Sequence, residues 1–302
     1  MMSSSRDIRR RIKSIGNTSK ITKAMELVAA AKMRKAVKAV LETRAYARTA
    51  WQIIKELAAT TDPALHPLLQ TRKKIKKLGI ILITSNRGLC GGFNREIIDQ
   101  VALYIQNHKK QDVEVKAEVL LMGKKGRDIM FRHGHEIAAE FAKLDVTTHV
   151  SEVTPMAKMA MTDYIAGKYD KVAIAYTDYI SAINQKPRIM QLLPLDYEDE
   201  MLGQVGGARP EAKQKESWEY LFEPSPDVVL EQMIEKLIEL QVYQALLESN
   251  ASEHSARMLA MRNANDSAQE LIEDLTLSYN QTRQASITQE IAEISAGRAA
   301  LE

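Results

Sequence analysis

Only one cysteine, Cys90, stands among the 302 residues. That excludes an internal disulfide and fits a reducing compartment. Aromatic residues make up just 5% of the chain, while Ala, Leu, Met, Glu and Lys are plentiful, a balance that leans towards helices. Long apolar runs are missing as well. The longest uncharged one is "LGIILIT" at 78–84, far short of the roughly 20 residues a membrane span requires. No secretory pattern opens the chain. The start, "MMSSSRDIRRRIKSIG", is Ser- and Arg-rich like a transit peptide, but the same amphipathic pattern runs on through it, so it reads as the beginning of a helix.

Glycine and proline are absent from two long stretches, residues 17–62 and 227–296. In the second, a series of fifteen positions, twelve of them apolar or Ala, recurs at alternating steps of three and four. The series is Leu230, Met233, Leu237, Leu240, Gln244, Leu247, Ala251, His254, Met258, Met261, Asn265, Ala268, Ile272, Leu275 and Tyr279. That spacing predicts a coiled-coil seam. At 1.5 Å per residue such a helix reaches roughly 100 Å, beyond any globular radius. The N-terminal stretch has a shorter seam, Val37, Val40, Arg44, Ala47, Trp51, Ile54 and Ala58. Ile21, Met25 and Val28 lie out of phase with it, which predicts a change of supercoil pitch between the two sets.

The net charge of +3 conceals a polarity. Residues 1–50 carry 13 Lys/Arg against 3 Asp/Glu, a net of +10, and residues 227–302 carry 5 against 13, a net of −8. A helix this long needs a partner for its apolar stripe. The opposite charges name the other terminus as that partner. An antiparallel pair of terminal helices is therefore expected, with pairing of each end to a different protein as the alternative.

The middle reads differently. "KKLGIILIT" (76–84), "VKAEVLLM" (115–122) and "DKVAIAYT" (170–177) are short, nearly continuous apolar runs. Between them "FNREIIDQVALYIQNHKK" and "TPMAKMAMTDYIAGK" carry helical spacing, the latter after a Thr-Pro start. Strand, helix, strand, helix, strand predicts a small parallel α/β domain covered on both faces. "PRIMQLLPL" (187–195) is a candidate edge strand. Residues 196–217 are polar and Gly-containing, and read as a surface loop.

Catalytic chemistry is hard to find. "TSNRGLCGGFN" (84–94) follows a strand and opens a helix, the right place for an anion. It nevertheless matches neither G-x-G-x-x-G nor the Walker pattern. No acidic residue closes the second strand to grip a ribose, since "LLMG" is followed by Lys124 and Lys125. A tight turn in which Gly91 and Gly92 permit close strand–helix packing is the simpler reading. Cys90 reads as a small buried residue rather than a nucleophile. Of the six histidines only His133 and His135 are neighbours, with no ligand cluster around them, so no metal and no cofactor are expected. Clustered Lys and Arg in the N-terminal helix would suit nucleic acid, but only Tyr46 and Trp51 could stack within the first sixty residues. Nucleic acid is not the expected partner.

The residues do resemble a known family, the gamma subunit of the rotary ATP synthase, in its bacterial-like form. "IRRRIKSIGNTSKITKAMELVAAAKMRKA" near the start and "ASEHSARMLAMRNANDS…RQASITQEIAEISAG" near the end resemble that family's signatures. "TSNRGLCGGFN" and "SWEYLFEPSP" (217–226) are similar to its internal landmarks. The resemblance implies an N-terminal coiled-coil helix over 1–62, a Rossmann-like α/β foot over 75–195, a loop and rotor-ring contact over 196–225, and a C-terminal coiled-coil helix over 226–302. It implies a shaft inside a ring of three alpha and three beta subunits, with the foot on the membrane ring of c subunits beside epsilon. The chain would be peripheral to the cytoplasmic face of a bacterial membrane and would have no active site of its own.

The same resemblance assigns residues. Arg283 and Gln284 would bond an acidic catch loop on a beta subunit, with Thr288 and Glu290 nearby, and Met25 and Arg257 would meet the beta lever region. Ile287, Ile291, Ile294, Ala296, Ala299 and Leu301 would run in an apolar bearing, where weak, non-directional contact suits rotation. Tyr220, Phe222 and Glu223 would touch the rotor ring and epsilon. The cysteine pair that chloroplast relatives insert after Leu195 has no counterpart here, so thiol control is not expected. The rival reading is an α/β nucleotide-binding enzyme with coiled-coil dimerisation arms.

Overall fold

The computed structural model of the chain describes residues 5–60, 66–72, 74–109, 115–147, 149–195 and 226–299. They fall into two compact units, Ala30–Arg257, and Met1–Ala29 with Met258–Glu302. Two long helices, α1 (Ser5–Thr60) and α5 (Pro226–Ala299), contribute a part to each. The loop over 196–225 and the segment holding Leu301 lie outside the described residues.

The unit Ala30–Arg257 is built on five strands: β1 (Lys77–Ile83), β2 (Lys116–Met122), β3 (Glu136–Phe141), β4 (Lys171–Tyr179) and β5 (Gln185–Leu193). Their spatial order is β3-β2-β1-β4-β5. β1 runs parallel to β2 and to β4, and β2 parallel to β3. The apolar runs are continuous because both faces are covered. Ile80 and Leu82, with Val119 and Leu121, pack on Ile97, Val101 and Met130 of α2 (Phe93–Lys109) and α3 (Lys124–Arg132). Ile81 and Ile83, with Leu120, Met122 and Ile174, pack on the opposite side. There they meet Met156, Ala160 and Tyr164 of α4 (Thr154–Ile165), Val40 of α1, and Leu237 and Val242 of α5.

Two elements escaped the sequence reading. α3 buries only Gly126 and Met130 in nine residues. β3 is an edge strand with no fully buried residue. Neither has enough apolar periodicity to stand out. The candidate edge strand does form, as β5, but it pairs antiparallel with β4. The sheet is therefore mixed rather than parallel throughout. Its far edge leaves Pro187 where a missing N–H is tolerated.

Within α5, residues 237–255 are buried on every face, as expected of a helix enclosed by its own domain. From Met258 onward, in the other unit, the burial is one-sided. Met258, Met261, Asn265 and Ala268 are buried, and Ile272, Leu275 and Tyr279 are half-buried, which is the seam the spacing predicts. The facing part of α1 runs antiparallel to it. Ser19 Oγ donates to Asn265 Oδ1 at 2.8 Å, and the Arg262 guanidinium lies 3.1 Å from Glu26 Oε1.

On α1 the expected seam is half-buried at Val37 and buried at Val40 and Ala47, while the side chains of Arg44, Trp51, Ile54 and Ala58 lie outside those described. The second set, Ile21, Met25 and Val28, needs correction. Ile21 and Val28 are 61% and 56% exposed. The buried stripe is instead Ile8, Thr22, Glu26 and Ala29, with Ile12, Ile15 and Ser19 half-buried. Steps of four and three carry the same stripe on to the buried Ala36, Val40 and Ala47, so no change of phase is needed. Hydropathy alone passed over this stripe because Ser19 and Glu26 enter it with polar partners supplied by α5.

Glu26 shows what those partners do. Its carboxyl accepts from Lys23 at 3.0 Å and from Arg262. Against the cost of burial, these bonds hold it below the ordinary carboxylate range. A depressed acid stabilises above its unfolded pKa and loses that contribution as pH falls through the folded value. Lys23 and Arg262 are each 54% exposed, which keeps the contribution under about 1 kcal/mol. Glu26→Gln is expected to lower the urea midpoint slightly at pH 7 and leave it unaltered at pH 3, measured by circular dichroism.

Candidate functional site

In an open, mostly parallel sheet the ligand crevice lies at the strands' C-terminal ends, where the strand order reverses. Here that point lies between β1 and β4, because β1 is followed by its neighbour β2 on one side and β4 joins on the other. The turn "TSNRGLCGGFN" leaves β1 at this place. Its bonding is inward. Thr84 Oγ1 accepts from the Gly126 N–H at 2.9 Å and lies 3.0 Å from the Gly123 carbonyl. Ser85 Oγ donates to the Arg87 carbonyl at 2.7 Å, and Asn94 Oδ1 accepts from the Ser85 N–H at 2.9 Å. Asn86 Nδ2 donates to the Lys143 carbonyl at 2.8 Å. Gly91 takes φ +58° and Leu89 φ 63°, so the chain reverses in the left-handed region that glycine tolerates best. Leu89 is carried outward on the turn and is 61% exposed. Cys90 is buried, with Asn94 Nδ2 at 3.3 Å from its sulfur, consistent with a small packed residue.

The crevice itself is taken up by α5. Glu248 Oε2 accepts from the Tyr179 N–H at 3.4 Å at the end of β4, and Ser252 Oγ donates to the Thr177 carbonyl at 3.1 Å. Asn250 Nδ2 donates to Thr147 Oγ1 at 3.1 Å. Lys143 Nζ pairs with Glu253 Oε2, their side chains 1% and 7% exposed. The Arg257 guanidinium pairs with Glu253 Oε1 at 2.9 Å and donates to the carbonyls of Arg87 at 3.1 Å and Gly88 at 3.4 Å. Asp145 accepts from Lys32 of α1 at 2.6 Å.

Electrostatics follow from burial and these partners. Desolvation opposes ionisation of Glu253, but Lys143 and Arg257 overcome it and keep the carboxyl below its usual range. His254 is buried with Nε2 at 2.7 Å from the Asp145 carbonyl. Desolvation pushes its imidazole below the ordinary value. A neutral ring, donating from Nε2 and facing the Arg257 guanidinium with Nδ1, satisfies both contacts. Its contribution is present above about pH 6.5 and is lost as pH falls, because the buried ring must then charge.

The nucleotide-binding alternative thus meets a crevice filled by the protein's own helix. Among the described residues, no group of three or more His, Cys, Asp and Glu could hold a metal ion. His133 and His135 sit at the α3–β3 turn, away from these contacts.

Of the residues assigned by resemblance, Met25 is half-buried on α1, and Arg257 is only 12% exposed because it clasps the turn after β1. Every residue from Arg283 to Ala296 is exposed. Arg283, Gln284, Thr288 and Glu290 are thus open, although Thr288 Oγ1 bonds back to the Gln284 carbonyl at 2.9 Å. Ile287, Ile291 and Ile294 form an uncovered apolar row, 47%, 59% and 73% exposed. Tyr220, Phe222, Glu223 and Leu301 lie outside the described residues. What the sequence reading missed is the role of Lys143, Asn250, Ser252, Glu253 and His254. The available signal was "ESNASEHSAR", a polar run inside an otherwise apolar seam helix.

Comparison with known proteins supplies a family. A family model described as ATP synthase matches residues 4–301. An ATP synthase gamma chain of Herpetosiphon aurantiacus is 44% identical over 307 residues, spanning 99% of this chain and 99% of that protein. One of Heliobacterium modesticaldum is 43% identical over 298 residues, 98% of each. Among solved structures, a chain of the Tetrahymena thermophila mitochondrial ATP synthase central stalk and c-ring superposes with TM-score 0.60 at 25% identity, covering 81% of this chain and 99% of that one. A chain of the Euglena gracilis mitochondrial ATP synthase superposes with TM-score 0.65 at 21% identity, covering 98% and 94%, and speaks to the fold alone.

Proposed function

This chain belongs to the ATP synthase gamma-chain family, and on that premise we propose that it is the non-catalytic rotor shaft of the synthase's central stalk. The observation that carries the reading is the antiparallel pairing of its two ends, Ser19 with Asn265 and Glu26 with Arg262, followed by a helix end exposed on all sides. Such an end, with an apolar row at Ile287, Ile291 and Ile294, needs a sleeve. Alpha and beta subunits surround it in this reading, and turning the shaft moves their catalytic sites in succession through open, loose and tight states.

Arg283, Gln284, Thr288 and Glu290 are the contacts that bond beta subunits, each charge-assisted bond contributing about 1.5–3 kcal/mol. That is strong enough to bias one conformer and weak enough to break at each step. Leu301 completes the bearing, and Tyr220, Phe222 and Glu223 meet the ring of c subunits and epsilon. Among the described residues no helix is long and apolar enough to cross a membrane. Association with the bacterial membrane's cytoplasmic face would therefore run through the complex.

Co-expression with alpha and beta subunits tests the reading. A stable complex that hydrolyses ATP while turning this chain is expected, and a chain that stays apart from both subunits would sink it. In the whole membrane-embedded synthase, Met25→Lys is expected to leave the chain folded but to impair ATP synthesis driven by an ion gradient severalfold relative to hydrolysis. Unchanged synthesis would remove Met25 from the coupling contacts.

A further inference from the structure

We infer that the polar cluster of Lys143, Asp145, Asn250, Glu253 and His254 is a torque joint, fixing α5 in rotation against the sheet that drives it. The inference rests on the shaft reading and adds where in the chain the twist is carried.

Apolar packing holds a helix strongly but without direction. A helix buried among aliphatic side chains can roll about its axis by exchanging similar contacts. Directional bonds prevent this. From one stretch of α5, bonds reach three separate parts of the domain: the end of β4 through Ser252, the 143–147 segment through Asn250, Glu253 and His254, and the turn after β1 through Arg257. Their donors and acceptors leave α5 on different sides, so a roll in either direction breaks some of them. Lys32 ties α1 to the same segment at Asp145. The segment is braced in turn by Asn86, whose amide holds the Lys143 carbonyl.

Energetics favour this reading over a purely stabilising one. A buried ion pair such as Lys143–Glu253 contributes little net stability compared with well-packed apolar residues of the same volume. What it supplies is a single allowed geometry, strengthened because Glu253 is held by Arg257 as well as by Lys143. The fold has thus turned its ligand crevice into a keyway.

The test uses the assembled alpha–beta complex with a bead on a cysteine introduced by Phe131→Cys, a position 76% exposed on α3. Cys90, being buried, stays unlabelled. The readout is the angular variance of the bead during pauses between ATP-driven steps. Lys143→Met is expected to widen it about twofold or more, and the gentler Asn250→Ala measurably. Lys38→Met, which breaks an exposed pair with Glu42, is expected to leave it unchanged. A lower melting temperature with unaltered variance in both joint variants would make the cluster merely structural and overturn the inference. Should Lys143→Met not assemble, Asn250→Ala decides alone. A bead that never turns on the otherwise unmodified chain would instead sink the shaft reading, and this inference with it.

Discussion

Replacing Ile287, Ile291 and Ile294 together with aspartate is expected to weaken association of this chain with the alpha–beta ring about a hundredfold. The three isoleucines recur at steps of four and three along α5 and are 47%, 59% and 73% exposed. Among the described residues nothing buries them, so the described fold gains little from them. Covering what remains exposed contributes roughly 1 kcal/mol each by apolar area. About 3 kcal/mol lost is then a factor of about one hundred in affinity. Charge in an apolar sleeve adds to the penalty rather than relieving it. The check is a titration of the variant against the other subunits, with circular dichroism to show that the helix persists. Undiminished affinity would mean that this row does not run in a bearing.

Gly123→Ala is expected to destabilise the unit Ala30–Arg257 by about 3 kcal/mol, read as a shift in urea midpoint. Gly123 closes β2 with φ +115°, a conformation costly for any residue with a Cβ. A Cβ here would also lie 2.3 Å from the Thr84 carbonyl oxygen. That contact is to backbone, at the end of β1, so relief requires moving a strand. Gly134 is the control. Its φ is +73°, but nothing lies within 4 Å of the added atom, and Gly134→Ala should cost only about 1 kcal/mol. Equal losses at both positions would mean that conformation, not the clash with Thr84, sets the effect.

The α5 seam was legible because one side of that helix repeats Met258, Met261, Asn265 and Ala268 whatever lies opposite. The α1 stripe was not, because Thr22 and Glu26 look solvent-facing until Arg262 arrives from another part of the chain. The three central strands announced themselves by burial on both faces. β3, which buries nothing fully, and α3, which buries two residues, left almost no trace. The row at Ile287, Ile291 and Ile294 came from the family resemblance, beyond the point where the seam spacing ended at Tyr279. The joint around Glu253 could not be read, since its partners lie at Lys143 and Asp145, more than a hundred residues away.

The two breaker-free terminal helices, their opposite charges, the alternation of strands and helices between them, and the lack of a recognisable catalytic motif were all legible in the residue order. These are properties of spacing and composition, and need no knowledge of what packs where. Folding, by contrast, set which face of α1 is buried, that β5 runs antiparallel, and that α5 fills the crevice where a ligand would otherwise sit. Burial of a polar side chain depends on whether a distant partner satisfies it, and that is a property of the folded chain.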